Sequence, residues 1–94
     1  MNYEIIKTAN LIKELYDTDD GLVGGYGHIV FDDDNLDDNS VNWCLESANK
    51  KKDVDCLSEQ TRIASIKALE AMLKLNEHDR EIANNYFWNT LNTN

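Results

Sequence analysis

The chain has 94 residues, 41% of them hydrophobic, no proline, and 18 Asp and Glu against 9 Lys and Arg, for a formal net charge of −9. That length fits one domain, residues 1–94, rather than two, and the apolar fraction is that of a globular rather than a disordered chain. The acidic balance excludes direct nucleic-acid binding, which needs clustered cations at the phosphates; docking on anionic membranes is excluded for the same reason.

Two cysteines, Cys44 and Cys56, are too few for a disulfide framework, and their separation is not that of a Cys-x-x-Cys pair. The opening MNYEIIKTANLIKELYD lacks a basic stretch followed by an uninterrupted apolar run, so it does not read as a signal peptide. No segment is apolar over bilayer length. The expectation is a cytoplasmic protein of a host cell, with reduced thiols.

In chain order, residues 2–16 read as an amphipathic helix: Ile5, Ala9, Ile12 and Tyr16 fall on one stripe, flanked by Ile6 and Leu15, with Asn2 as N-cap. The run Asp17–Gly21 ends it. LVGGYGHIVF follows, with three glycines and a β-branched Ile29-Val30 pair, and predicts a short β-hairpin or extended segment near residues 22–31. A second helix is expected over 40–51, with Val41, Cys44, Leu45 and Ala48 at i, i+3, i+4 and i+7; Asn39 or Ser40 would cap it, and Asp37 and Asp38 would suit its positive end. A third begins between Asp55 and Ser58 and runs to about Leu75, with Ile63, Ile66, Leu69, Met72 and Leu73 as its apolar stripe. Asn76 caps a fourth, 77–91, burying Ile82, Ala83, Tyr86 and Phe87. The fold class is therefore mainly α: about four short helices packed antiparallel around one core, closed at one end by the hairpin-like segment.

The chemically loaded stretch is Gly24–Asp38. Its acidic run, Asp32-Asp33-Asp34-Asn35-Leu36-Asp37-Asp38, does not make a calcium loop: starting from Asp32 or Asp33, the sixth position is aspartate rather than glycine and the twelfth is Trp43 or Cys44 rather than glutamate. Gly24-Gly25-x-Gly27 precedes a strand pattern instead of following one, and no Lys-Ser/Thr pair succeeds it, so neither a dinucleotide loop nor a P-loop is present. A zinc site would have to gather His28, Cys44, Cys56 and His78, whose spacing carries no signature; no metal and no cofactor is expected. His28 and Asp32 share a face of an extended segment, an arrangement that serves either acid–base chemistry or a plain turn hydrogen bond. Cys44 reads as core and His78 as an exposed first-turn residue. An exposed Trp43 or Trp88 would be an interface anchor.

The string GGYGHIVFDDDNLDDNSVNWCLESA resembles small phage and prophage proteins of Gram-positive bacteria. These carry a Gly-Gly segment, a Leu-His-Ile-Val-Leu-Asp-Asp stretch, an Asn, an acidic pair and a helix with a Cys-Leu. His28, Ile29, Val30, Asp32, Asp33, Asn35, Asp38, Cys44 and Leu45 match that pattern, while Gly27 stands for its leucine and Asp34 for its glycine. The resemblance implies a genomic origin and a candidate site, not a reaction.

The candidate binding residues are accordingly His28, Asp32, Asp33, Asn35, Asp37, Asp38, Gly24 and Gly25. The expected function is that of a small acidic phage-type accessory protein that binds a host macromolecule through a basic surface of a protein partner, as an anti-defence inhibitor does. The alternative is a small enzyme or ligand- or metal-binding domain built on His28, Asp32 and Asp33. A homo-oligomer through Trp88 and the last helix is a third expectation.

Overall fold

A computed structural model describes residues 2–18, 35–50 and 59–92. It contains four helices: α1 (Tyr3–Thr18), α2 (Asp38–Lys50), α3 (Glu59–Leu73) and α4 (Glu77–Asn92). There is no strand among the described residues, and the hairpin expected near 22–31 lies outside them.

Helix α1 starts where its cap predicts. The Asn2 side-chain oxygen accepts from the Glu4 backbone N–H at 2.7 Å, satisfying one of the donors that a helix start leaves open. The buried face is Ile5, Thr8, Ala9, Ile12 and Leu15. Thr8 tolerates burial because its hydroxyl donates to the Glu4 carbonyl at 2.7 Å. The helix runs two residues beyond the expected Tyr16, and the Thr18 hydroxyl donates back to the Glu14 carbonyl at 2.7 Å.

Helix α3 departs furthest from its sequence pattern. Its buried residues are Thr61, Ala64, Ser65, Ala68, Leu69, Ala71 and Met72, whereas Ile63, expected in the stripe, is 44% exposed. The buried face lies roughly a third of a turn round the axis from the Ile-based stripe. The reason is packing: α3 lies against both α1 and α2, and small side chains let helix axes approach closely on two sides. The Ser65 hydroxyl donates to the Thr61 carbonyl at 2.8 Å, so its burial leaves no open donor.

The packing order is α2–α3–α1–α4, with α1 against both α3 and α4. Helices α3 and α4, though joined by the short corner 74–76, are not a principal packing pair. One apolar cluster unites Ile12 and Leu15 of α1, Leu36, Val41 and Cys44 around α2, Leu69 and Met72 of α3 and Phe87 of α4. The Phe87 ring meets Tyr16 at 5.5 Å and Trp88 edge-on at 5.1 Å, in the tilted arrangements that aromatic quadrupoles favour. A smaller cluster of Ile5, Leu75 and Ala83 fills the corner end. Tyr86, expected in the core, is 37% exposed; Arg80 and Asn84 take the buried positions beside Ala83 and Phe87 instead.

Arg80 holds the corner together. Its side chain is 2% exposed. Nε donates to the Met72 carbonyl at 2.7 Å, Nη1 to the Leu36 carbonyl at 2.6 Å and Nη2 to Asp38 Oδ1 at 2.6 Å. One planar fork therefore joins the end of α3, the start of α4 and the approach to α2. Replacing Arg80 by Met should destabilise the fold by about 3 kcal/mol, because two carbonyls lose their charged donor in a dry setting. Asp38→Asn should cost less than about 1 kcal/mol, since the Asp38 side chain is 77% exposed. Urea unfolding of both variants measures the difference.

Candidate functional site

The start of α2 is where the sequence concentrates candidate residues. Gly24, Gly25, His28, Asp32 and Asp33 lie outside the described residues. Asn35, Asp37 and Asp38 are described, and the two aspartates have structural partners. Asp37, not Asn39 or Ser40, is the N-cap. Its carboxylate accepts from the Ser40 backbone N–H at 3.1 Å and from the Ser40 hydroxyl at 2.8 Å, while its own carbonyl accepts from the Val41 N–H at 3.1 Å. The bonds from Ser40, hydroxyl first, hold the Asp37 carboxyl below its ordinary value of 3.8. Ser40, offered as a cap by the sequence, is instead the third helical residue that the cap reaches.

Asp38 opens the helix proper and meets Arg80. Its position suits the helix dipole, and the arginine fixes its direction. Of the expected acidic cluster, then, Asp37 and Asp38 are joined to the fold by backbone geometry and by one guanidinium. Asn35 is partly buried just ahead of Leu36, whose side chain enters the core.

Beyond the cap, α2 divides into two faces. Val41, Cys44, Ser47 and Ala48 are buried. The opposite face carries Asn39, Asn42, Trp43, Glu46, Asn49 and Lys50, all exposed. Trp43 is 55% exposed. Helical spacing sets it beside Asn39, Glu46 and Lys50, four residues before it and three and seven after it. Trp88, by contrast, is partly buried against the core.

Cys44 sits in the core as expected, and burial pushes its thiol up to about 11. A thiol held neutral in apolar surroundings is a poor nucleophile and a poor metal ligand. His78 is exposed in the first turn of α4. Among the described residues no group of three or more His, Cys, Asp or Glu is placed to hold a metal ion. No described helix is long and apolar enough to cross a membrane.

Compared with protein-family models, with curated proteins and with solved structures, the chain has no match.

Arg80 is the functional-looking residue that sequence reading passes over. The available signal is its place three residues before Ala83 and seven before Phe87, on the buried stripe of α4, where an unpaired charge is not tolerated.

Two measurements follow from these environments. Asp37→Ala should lower the melting temperature near neutral pH, whereas Asp37→Asn should retain the cap but lose its acid sensitivity. Because the folded pKa of Asp37 is depressed, its contribution is complete above 3.8 and is lost as pH falls through the folded value; thermal melts across the acid range report this. For Cys44 the sign is opposite. The unfolded thiol ionises near 9.0 and the folded one near 11, so stability should fall between those values. In a Cys56→Ser background, iodoacetamide should label Cys44 only on unfolding.

Proposed function

We propose that this chain is an acidic protein-binding module: a phage-type accessory protein that occupies the basic surface of a host protein, as an anti-defence inhibitor does. The observation that carries the reading is Trp43, 55% exposed on a helix face that is otherwise polar. A large ring exposed at that level is an apolar anchor, and tryptophan is enriched among the few residues that dominate binding energy. The net charge of −9 supplies the second element, since an acidic surface steers encounter with a cationic partner and disfavours anionic ones. The third is the resemblance to phage and prophage proteins over Gly24–Ala48, which spans the acidic run leading into α2. In chain order Asp32 and Asp33, with His28, precede the turn that Asp37 caps. The proposed contact surface is thus the exposed face of α2, with Trp43 at its centre and Asp38 in its first turn.

The test is partner capture from lysate of a Gram-positive host, with the wild-type chain and Trp43→Ala in parallel. The expected result is a partner with a basic surface, released by raised salt and bound at least about thirtyfold more weakly by Trp43→Ala. Trp43→Ala should melt like the wild type, because its ring is largely in solvent. Undiminished binding by that variant would overturn the assignment of the face, and a partner indifferent to salt would overturn the electrostatic part. A His28→Ala/Asp33→Ala variant reports whether the acidic run takes part.

A further inference from the structure

The chain's cations are not spread evenly. Both arginines already have partners within the chain: the buried Arg80 has Asp38, and the partly exposed Arg62 has Glu59 and the Ala48 carbonyl, at 3.1 Å near the end of α2. Lys13 pairs with Asp17 at 3.0 Å. Three of the remaining lysines, Lys7, Lys67 and Lys74, line one groove of about 250 Å³ between α1 and α3. Its floor is apolar, formed by Leu11 and Ala71, and two carboxylates, Glu4 and Glu70, also border it. The lining therefore carries a local excess of positive charge on a chain whose net charge is −9.

Sequence spacing invites Glu4–Lys7 and Glu70–Lys74 to neutralise one another as i,i+3 and i,i+4 pairs. Neither pair closes into an ion pair, and none of the three lysines has a described carboxylate partner. Lys67 and Lys74 stand two turns apart on the α3 side, about 10 Å along the axis. In an extended peptide, side chains two and four residues apart share a face, so a Glu-x-Leu-x-Glu segment turns all three side chains to one side with its carboxylates about 13 Å apart along the backbone, a span that flexible Glu and Lys side chains close.

From this charge complementarity we infer that the α1/α3 groove is a docking site for an acidic peptide segment of a partner protein. The segment presents an apolar side chain to Leu11 and Ala71 and two flanking carboxylates to Lys67 and Lys74, with Lys7 on the facing wall. This surface differs from the Trp43 face in elements, in residues and in the sign of charge it recognises, and it stands without that reading.

The probe is a short fluorescein-labelled peptide with a leucine midway between two glutamates four residues apart, followed by anisotropy. The comparison peptide carries glutamines in place of the glutamates. Binding by the acidic peptide, weakened by salt and absent for the glutamine form, is expected. Lys67→Glu/Lys74→Glu should weaken it by at least about tenfold. Lys13→Glu/Lys50→Glu changes the net charge equally but lies off the groove, and should leave binding within about twofold of wild type. Circular-dichroism melts confirm that both variants fold, since all the substituted side chains are on the surface. Equal loss in the two double variants would reduce the effect to net charge and overturn the site. No binding of the acidic peptide would overturn it outright. Displacement of nothing but a free medium-chain carboxylate, in a parallel arm with decanoate, would reassign the groove to a small amphiphile and overturn the peptide reading.

Discussion

A single buried guanidinium sets the relation between parts of the chain that are far apart in sequence. Arg80 reaches back to Met72 at the end of α3 and across to Leu36 and Asp38 at the approach to α2. Burying a charge is costly unless its donors are met, and here three directed bonds engage all three nitrogens, two to neutral carbonyls and one to an exposed carboxylate. The arrangement is directional in a way that apolar packing is not. Leu36 could enter the core at several angles as a hydrophobe; its carbonyl, held at 2.6 Å, allows few.

The same bond set explains why the start of α2 falls where it does. Asp37, Asp38, Asn39 and Ser40 are consecutive cap-type residues, and propensity alone does not choose among them. The hold of Arg80 on Leu36 and Asp38 fixes the register upstream, leaving Asp37 at the position whose carboxylate reaches Ser40. The acidic stretch that looked most like a site in the sequence is, at its downstream end, the anchorage of a helix. The exposed face that follows carries Trp43 just beyond that anchorage.

Legibility in the sequence followed the strength of local signals. The caps at Asn2 and Asn76 were legible because each is a cap residue just ahead of its helical run. The core places of Ile12, Cys44, Leu69, Met72 and Phe87 were legible from helical spacing. The buried face of α3 was not, because Ala64, Ala68, Ser65 and Thr61 carry little hydrophobic contrast, while Ile63 advertises a face that packing does not use and Ile66 only borders the core. Arg80 was not legible because its burial depends on acceptors 8 and 44 residues away. Among the candidate site residues, Asp37 and Asp38 were correctly located as serving α2, but which of the neighbouring residues caps it was decided by a tertiary contact.

The engagement of both arginines by partners within the chain has a consequence for how this surface meets others. Guanidinium is the side chain that grips carboxylate or phosphate with two parallel bonds. Here Arg62 grips Glu59 and the end of α2, and Arg80 grips the corner. Among the described residues, the chain turns outward mainly carboxylates, amides, lysine ammoniums and a few aromatic rings. At any junction with another protein, two-pronged contacts then arise in one sense only: the visiting molecule brings the fork, and this chain offers the oxygens that receive it.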